Sequence, residues 1–283
     1  MSVSTRATPV QDSRCAVCGS AMAPTNVGAT SFVRCTACGY AKLLDKGRGD
    51  RYWEGRTGAH DFESVWGATK QRLFANALER LERLSSGRTL CDVGGGAGYF
   101  AAIARERGWT AHVVEISAAA RELAVDRLGQ QFVHESVAEL VAPADVMTMW
   151  CVVAHVDDPA ALIAKTTSRL RPGGWLFLTT PNWHFQRLAG RVLARLGRPI
   201  GFARQDHVGQ FARRSLQRLL RASGFEEPEF SYCGVTERCC AFGRADQSLI
   251  AAKKLWNRIA VGAGNLGLPD LTSELHVFAR RAG

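Results

Sequence analysis

The residues best placed to do chemistry are glycines that follow a short apolar run near the middle of the chain. This motif consists of Asp92, Gly94, Gly96 and Gly98, and a helix-forming segment follows it at once. Glycine is needed where the backbone adopts positive φ or approaches a ligand closely. The motif predicts a strand, a tight turn and a helix whose first N–H groups face a ligand at the carboxyl end of the strand. Many α/β proteins share it, dinucleotide-binding ones included.

A second acid narrows the choice of ligand. Glu115 ends the next predicted strand, twenty-three residues after Asp92, where a carboxylate can accept two hydrogen bonds from a ribose. That position suits NAD and S-adenosylmethionine equally. Asp92 favours S-adenosylmethionine, because an anion beside the glycines repels a pyrophosphate and attracts the ammonium group of a methionine moiety. The sequence after this turn also lacks a second dinucleotide-binding half.

Four cysteines near the amino terminus have the spacing of a metal site. The chain has two Cys-x-x-Cys-Gly sequences, with sixteen residues between the second cysteine of one and the first cysteine of the other. The spacing within each lets both sulfurs reach one ion. Four sulfurs complete a tetrahedral shell, which is typical of a structural zinc ribbon with no open position for catalysis. An iron–sulfur site, a rubredoxin-like iron site or a ribbon that has lost its metal are the alternatives. The predicted ligands are Cys15, Cys18, Cys35 and Cys38.

Composition indicates a folded protein with a full core. The chain has 283 residues, 46% of them apolar. No apolar run approaches the ~20 residues of a membrane span, and residues 1–9 lack the apolar region of a signal peptide, so a cytoplasmic location is expected.

The net charge of +10 suggests a nucleic-acid partner. A general bias of the sequence toward arginine also explains this charge. Because the basic residues are spread over helices without interleaved aromatics, nucleic acid is the less favoured partner.

After the glycine turn, predicted strands and helices alternate. Strands are predicted at 110–115, 131–134, 144–150, 175–179, 229–236 and 274–280, the last of them antiparallel, and a tight turn is predicted at 171–174. Helices are predicted at 118–128, 159–170, 215–222 and 249–259, and a further helix at 63–84 precedes the glycine turn. This alternation predicts an α/β fold with a doubly wound, mostly parallel sheet. The predicted domains are a zinc ribbon at 1–42, a linker at 43–62 and a main domain at 63–283 with an inserted cap at 183–210.

The predicted cap contains a basic amphipathic helix. Its arginines recur every three or four residues, with apolar residues opposite; they are Arg187, Arg191, Arg195 and Arg198. The favoured interpretation is that the arginine face of this helix is simply the one that faces solvent. The alternative is that these arginines contact an anionic acceptor or its carrier.

Taken in order, these motifs resemble the class I S-adenosylmethionine-dependent methyltransferases. From about residue 60 the chain is similar to the branch that holds ubiquinone-biosynthesis O-methyltransferases and natural-product tailoring enzymes. The matching segments are 91–98, 113–115, 144–147, 155–159, 170–174, 180–182 and 206–208. The resemblance implies a seven-stranded, Rossmann-like sheet, S-adenosylmethionine as cofactor and an acceptor-binding cap at 183–210.

The resemblance also implies which residues bind the cofactor. The methionine end would be received by Asp92, Gly94, Gly96 and Gly98. The ribose and adenine would be held by Glu115, Ile116, Ser136 and Val137, and the sulfonium would be flanked by Trp150 and Cys151. The chain departs from the family in two places: Glu135-Ser136 stands where Gly-Asp is frequent, and Ala154-His155 stands where Glu-His is usual.

Three histidines are candidates for a catalytic base. Methyl transfer is an in-line displacement that depends on alignment, and a hydroxyl or acidic carbon must also lose a proton. His155 follows the 144–150 strand, His184 follows the 175–179 strand, and His207 lies in a segment that matches the relatives. For His155, packing as a helix-capping residue is the alternative role.

The favoured function is O-methylation of a small-molecule acceptor, anionic or carrier-linked, in secondary metabolism or in sugar- or quinone-type biosynthesis. C-methylation of a nucleotide-linked sugar is one alternative, because such enzymes also carry cysteine-rich amino-terminal modules. RNA methylation is another, because one group of ribosomal-RNA guanine methyltransferases joins a zinc ribbon to this fold. A non-catalytic cofactor-binding module has only Ala154 in its favour. A monomer or homodimer is expected.

Overall fold

The structure is a computed structural model that describes residues 14–28, 30–44, 68–195, 197, 207–234 and 247–283. Most of the predicted linker and Arg198 of the predicted cap helix lie outside the described residues. Within the part of the chain that the structure describes, no helix is both long and apolar enough to cross a membrane.

The described elements follow the predicted alternation of strands and helices. The strands are β1 (Met22–Val27), β2 (Thr30–Cys35), β3 (Ala41–Leu43), β4 (Thr89–Val93), β5 (Thr110–Val114), β6 (Val133–His134), β7 (Ala144–Trp150), β8 (Leu170–Pro181), β9 (Gly209–Gln210), β10 (Glu229–Ser231) and β11 (Glu274–Arg280). The helices are α1 (Ala68–Leu84), α2 (Tyr99–Glu106), α3 (Ala118–Leu128), α4 (Pro159–Ser168), α5 (Trp183–Arg195), α6 (Arg213–Ala222) and α7 (Gln247–Asn265).

The main sheet has seven strands in the order β10-β11-β8-β7-β4-β5-β6. The pairs from β8 to β6 are parallel, and β11 pairs antiparallel with both β8 and β10. Every residue of β7 is buried, as expected for a central strand covered on both faces, and its sequence is apolar apart from Asp145 and Thr148. The predicted α/β fold with a mostly parallel, doubly wound sheet is confirmed.

Alternate residues of the central strands enter two separate hydrophobic clusters, one on each face of the sheet. Val146 and Phe177 pack in the cluster that contains residues of α1, α2 and α3. Met147 and Leu178 pack in the cluster that contains residues of α4 and α6. Because strand side chains alternate between faces, this partition places helices on both sides of the sheet.

The amino-terminal strands form a second sheet that the main domain completes. Its order is β1-β2-β3-β9, and β3 pairs antiparallel with β9 through Ala41 opposite Gln210 and Lys42 opposite Gly209. Tyr40 also packs on Phe211, with 5.0 Å between the ring centroids. The predicted boundary near residue 42 therefore lies within a sheet, because β3 runs to Leu43.

One predicted turn is part of a longer strand. Residues 171–174 were expected to form a tight turn before a strand at 175–179, whereas β8 begins at Leu170. The register against β7 shifts between Ala144 and Val146, and Gly173 has φ +74°. The extra residues are absorbed in a bulge that glycine makes possible.

Candidate functional site

The glycine turn lies at the carboxyl end of β4 and leads into α2. Gly94, Gly96 and Gly98 have φ of +68°, +55° and +78°, a region that other residues rarely adopt. The N–H of Gly94 donates to the carbonyl of Val114 at 2.7 Å, which ties the turn to β5. Among the described residues, no side chain caps the start of α2, so its first N–H groups are available to a ligand.

We expect Gly94→Ala to destabilise the protein much more than Gly108→Ala. A Cβ at Gly94 would lie 2.5 Å from Cγ2 of Val152, whereas one at Gly108 would meet nothing within 4 Å. Both glycines have positive φ, so each substitution costs ~1–2 kcal/mol of backbone strain, and only Gly94→Ala adds about 1–3 kcal/mol of overpacking. Urea unfolding of the two variants measures the difference, and equal losses would contradict it.

The carboxylate of Glu115 is fixed at the edge of this turn. Its Oε2 accepts a hydrogen bond from the N–H of Gly96 and its Oε1 accepts one from the N–H of Ser117, each at 2.9 Å. The side chain is 2% exposed, and this burial raises the pKa of the carboxyl, with the N–H donors acting in the opposite direction. Carboxylate oxygens have further lone pairs, so a diol in the turn can donate to this group.

Asp92 lies beneath the turn and is closed off from solvent. Its Oδ1 accepts a hydrogen bond from the hydroxyl of Thr148 at 2.6 Å, and a Cβ on Gly95 would lie 2.8 Å from its Oδ2. Burial raises the pKa of Asp92 to about 7; the Thr148 hydroxyl lowers it and the charge of Glu115 raises it. Thr148, which belongs to no motif of the sequence, holds this carboxylate against the backbone of the turn.

Because the pKa of Asp92 is raised, the stability of the protein is expected to fall as the pH rises. Because its pKa of about 7 lies above the ordinary 3.8, the folded state binds this proton more tightly than the unfolded chain does. This proton contributes on the order of 4 kcal/mol to the free energy of unfolding. The contribution is complete below about pH 4 and is lost as the pH rises through about 7. Asp92→Asn keeps an acceptor for the hydroxyl of Thr148 and removes the titration.

The measurement is urea unfolding of both proteins, without cofactor, at about pH 4.5 and pH 7.5. We expect the free energy of unfolding to fall more for the parent chain than for Asp92→Asn over this interval. Equal changes in the two proteins would contradict the assigned titration.

The residues implied to surround an adenine differ in exposure. Ile116, directly after Glu115, is 80% exposed, which leaves an apolar surface at the mouth of the turn. Val137 is buried. The hydroxyl of Ser136 accepts a hydrogen bond from the N–H of Ala138 at 3.3 Å and caps a short 3-10 turn. Their contacts with a cofactor stay predictions.

Trp150 packs inside the domain at the end of β7. Its ring lies 4.6 Å from that of Phe74, 5.0 Å from that of Phe100 and 4.9 Å from that of Phe177, measured between centroids. Its Nε1 is buried and has no hydrogen-bond partner among the described residues. The side chain therefore supports the end of the strand, and the predicted place beside a sulfonium stays a prediction.

Two of the three candidate histidines meet Cys151 in one cluster, which we call the Cys–His cluster (Cys151, His155 and His207). The Sγ of Cys151 lies 3.1 Å from Nε2 of His207, and the two imidazole rings are 4.6 Å apart. One ligand atom from each of the three residues lies within 4.8 Å of the others. Burial lowers the pKa of His207 to about 3 and raises that of Cys151 to about 12, so both are neutral near pH 7.

The third candidate histidine belongs to a different part of the molecule. The N–H of His184 donates to Oδ1 of Asn182 at 3.0 Å. Both residues line a cavity of about 460 Å³ together with Arg213 and Asp270. Burial lowers the pKa of His184. Its predicted role as a base stays a prediction.

The four amino-terminal cysteines converge as their spacing predicts. Cys15 and Cys38 have their sulfurs 3.5 Å apart, and so have Cys18 and Cys35. All four lie within 4.8 Å of one another, and a tetrahedral zinc with ~2.3 Å bonds would separate them by about 3.8 Å. The N–H groups of Val17 and Cys38 point at sulfurs at 3.4 Å, which would stabilise thiolates.

The ribbon sheet also contacts the loops that carry the Cys–His cluster. The N–H of Gly209 in β9 donates to the carbonyl of Ala154 at 2.9 Å, and the N–H of Leu43 in β3 donates to the carbonyl of Val208 at 2.9 Å. Lys42 forms an ion pair with Asp157 at 3.1 Å. These bonds join the strand after the cysteines to the neighbours of both cluster histidines.

Comparison with known proteins agrees with this geometry. The ubiquinone biosynthesis O-methyltransferase of Leptothrix cholodnii is 37% identical over 119 residues, which cover 38% of this chain and 50% of that protein. The enzyme of the same name from Aromatoleum aromaticum is 29% identical over 157 residues, 51% of this chain and 66% of that protein. The chain thus spans about half to two thirds of these relatives.

A solved structure and a family model extend the comparison. Haemonchus contortus phospholethanolamine N-methyltransferase 2, in complex with phosphomonomethylethanolamine and S-adenosylhomocysteine, superimposes with a TM-score of 0.54 at 15% identity. The match covers 84% of this chain and 60% of that one, and it shows a shared fold. A family model described as "Methyltransferase domain" matches residues 65–227, more than half of the sequence. The chain therefore belongs to the methyltransferase-domain family.

Proposed function

We propose that this protein transfers the methyl group of S-adenosylmethionine to a hydroxyl of a small-molecule acceptor. The observation that carries the proposal is the buried carboxylate of Glu115, which lies 2.9 Å from the N–H of Gly96 in the glycine turn. It offers two oxygens to a ribose diol beside a helix start whose N–H groups are free for a ligand. The O-methyltransferase relatives support a hydroxyl acceptor.

The residues around the turn fit this cofactor. A Cβ at Gly96 would meet nothing within 4 Å, so the turn is open on its outer side. Glu115 would hold the ribose and the exposed Ile116 would cover the adenine, while an ammonium group beside the turn would favour the ionised form of Asp92. The bound cofactor supplies an activated methyl group on a sulfonium. The protein supplies alignment, which contributes most of the rate in such displacements.

The acceptor side is proposed to lie at the Cys–His cluster. The segment after β7 that carries Cys151 and His155 lies against the glycine turn, because a Cβ at Gly94 would lie 2.5 Å from Cγ2 of Val152. An acceptor hydroxyl at the cluster would meet the methyl group there. A base role for either imidazole is one way to remove the hydroxyl proton. The helix α5 exposes apolar residues, with Leu188 46% and Val192 47% exposed, together with the arginines of its basic face. This mixed surface supports an acceptor, or a carrier, with apolar and anionic parts.

We further propose that the four cysteines bind one structural zinc ion. Four sulfurs at tetrahedral separations leave no position for a substrate. Because β3 pairs with β9, the ribbon would form part of the wall on the acceptor side. Iron at the same cysteines is the alternative, and metal analysis of the purified chain distinguishes the two.

The test is formation of S-adenosylhomocysteine from S-adenosylmethionine by the full chain with phenols, nucleotide-linked sugars and RNA as acceptors. We expect turnover with a phenolic acceptor, and the methyl group on oxygen in the product. Methylation of a sugar carbon would replace the proposal by C-methylation. Methylation of RNA that weakens steeply with salt would indicate a nucleic-acid substrate. Binding of S-adenosylhomocysteine without turnover of any acceptor would indicate a non-catalytic module.

A further inference from the structure

The Cys–His cluster brings a thiol and two imidazoles together from three separate segments. Cys151 directly follows β7, His155 closes a turn with Val152, and His207 precedes β9. The thiol and one imidazole are 3.1 Å apart, the two rings are 4.6 Å apart, and ligand atoms of all three lie within 4.8 Å of one another. The resemblance to methyltransferases assigns these residues to the sulfonium or to a base, and neither role requires the three to meet.

The backbone holds each member of the cluster in place. Cys151 has φ +64°, the only positive value among the described residues other than glycine, which costs ~1–2 kcal/mol. Its N–H donates to both the carbonyl and the hydroxyl of Thr179 at 3.1 Å. Strain of this kind persists where the surroundings enforce it, and it is frequent at functional sites.

The two histidine segments are joined to each other. The N–H of His155 donates to the carbonyl of Val152 at 2.9 Å, and the carbonyl of the adjacent Ala154 accepts from Gly209 at 2.9 Å. The carbonyl of His207 accepts from the side chain of Gln210 at 3.0 Å. The positions of both imidazoles therefore depend on a single bonded unit.

We propose that Cys151, His155 and His207 are the ligands of a second metal site, one for a borderline transition-metal ion such as zinc. Thiolate and imidazole select zinc, cobalt, iron or copper over magnesium or calcium. Three protein ligands leave a fourth tetrahedral position open, which is the arrangement of catalytic sites, whereas the four cysteines of the ribbon leave none.

The distances require little rearrangement. Zinc with ~2.3 Å bonds to sulfur and ~2.1 Å bonds to nitrogen separates these ligand atoms by about 3.4–3.6 Å, close to the 3.1 Å between Sγ of Cys151 and Nε2 of His207. Two charges act on both of these residues: Glu274, which favours a cation, and Lys70, which opposes one. Binding would displace the thiol proton to solvent, so affinity rises with pH.

The role of this ion rests on the proposed function, although its binding does not. An acceptor hydroxyl in the open position would lose its proton to solvent at a lower pH than in water. Its oxygen could then displace S-adenosylhomocysteine from the methyl group without an imidazole base. The ion would also fix the acceptor in line with the methyl group.

The test is metal binding by the full chain whose ribbon already holds zinc. Cobalt(II) is added as the probe, because thiolate-bound cobalt absorbs visible light and zinc does not. We expect the chain to bind one equivalent of cobalt in addition to the zinc of the ribbon, with a thiolate absorption band. Cys151→Ser should lose the band, and His155→Ala and His207→Ala should each weaken binding by about 100-fold or more. A cooperative urea-unfolding transition like that of the parent chain shows that each variant is folded.

The matched control is a second histidine pair. His112 and His134 have ring nitrogens 3.0 Å apart, but within the described part of the chain no third potential ligand completes a metal-binding group with them. His134→Ala should therefore keep the cobalt equivalent in full. Cobalt exchange at the ribbon is measured in a His155→Ala, His207→Ala double variant.

Two results would overturn the proposed site. One is that the parent chain binds no more cobalt than the double variant, in which cobalt can only exchange with the zinc of the ribbon. The other is that Cys151→Ser binds cobalt as tightly as the parent chain does and with the same spectrum. Cobalt binding without methyl transfer would leave the site intact and contradict the proposed function alone.

Discussion

Glu115→Gln is expected to weaken the binding of S-adenosylhomocysteine by about 100-fold, which corresponds to about 2.7 kcal/mol. Both oxygens of this carboxylate accept hydrogen bonds from backbone N–H groups, those of Gly96 and Ser117. A glutamine must turn its NH₂ group toward one of these donors. The variant therefore loses the negative charge for the ribose hydroxyls and also leaves a buried N–H unsatisfied, at a cost of about 1–3 kcal/mol in stability.

Isothermal calorimetry with S-adenosylhomocysteine measures the affinity, and urea unfolding measures the stability. The matched control is Glu122→Gln, because Glu122 is an exposed acid on α3; we expect its affinity and stability to match those of the parent chain. Unchanged binding by Glu115→Gln would show that the cofactor lies elsewhere. Tight binding of NAD by the parent chain would contradict the cofactor assignment itself.

The local pattern of the sequence was sufficient to predict most of the main sheet. The bounds predicted for β7 and β11 match those of the structure, because each is a mostly apolar segment of strand length. The glycine turn was predicted from residue type alone, since its positive φ values admit little else. The antiparallel β11 was predicted from its place in the chain and from the resemblance.

The local pattern of the sequence could not predict contacts between residues that are far apart in the chain. The bond between Asp92 and Thr148 and the contact between Cys151 and His207 each join residues 56 positions apart. Both depend on which strands lie side by side, and the spacing of residues within a segment does not contain that information. For this reason Thr148 was missed, and the two histidines were assigned as separate candidates.

The pairing of the ribbon with the main domain was also not predictable. The strand β9 has only two residues, too few to show a periodic pattern. Its pairing with β3 nevertheless links the four-cysteine arm to the segment that carries His207. Trp150 illustrates a related limit, because an aromatic residue at the end of a strand can face either a ligand or the core, and its ring packs against three other aromatic rings.

Cys35→Ser is expected to remove one equivalent of metal and to lower methyl transfer by about 100-fold or more, with binding of S-adenosylhomocysteine nearly unchanged. Cys35 is fully buried at the end of β2, and its sulfur faces that of Cys18 at 3.5 Å. A segment of this size depends on its ion to fold. Loss of the ion should therefore release β3 from β9, and with it the backbone that positions His207. Glu115 and the glycine turn lie on other strands and should keep the cofactor.

Metal analysis, calorimetry with S-adenosylhomocysteine and the acceptor assay measure the three effects separately. The matched control is Cys233→Ala, which removes another buried thiol outside the two cysteine pairs and should keep the metal and the activity. Removal of the ion from the parent chain by a chelator provides a second measurement if Cys35→Ser does not fold. Full methyl transfer by a chain that has lost this ion would contradict the acceptor-side role of the ribbon, because the β3–β9 pairing would then be dispensable for placing His207.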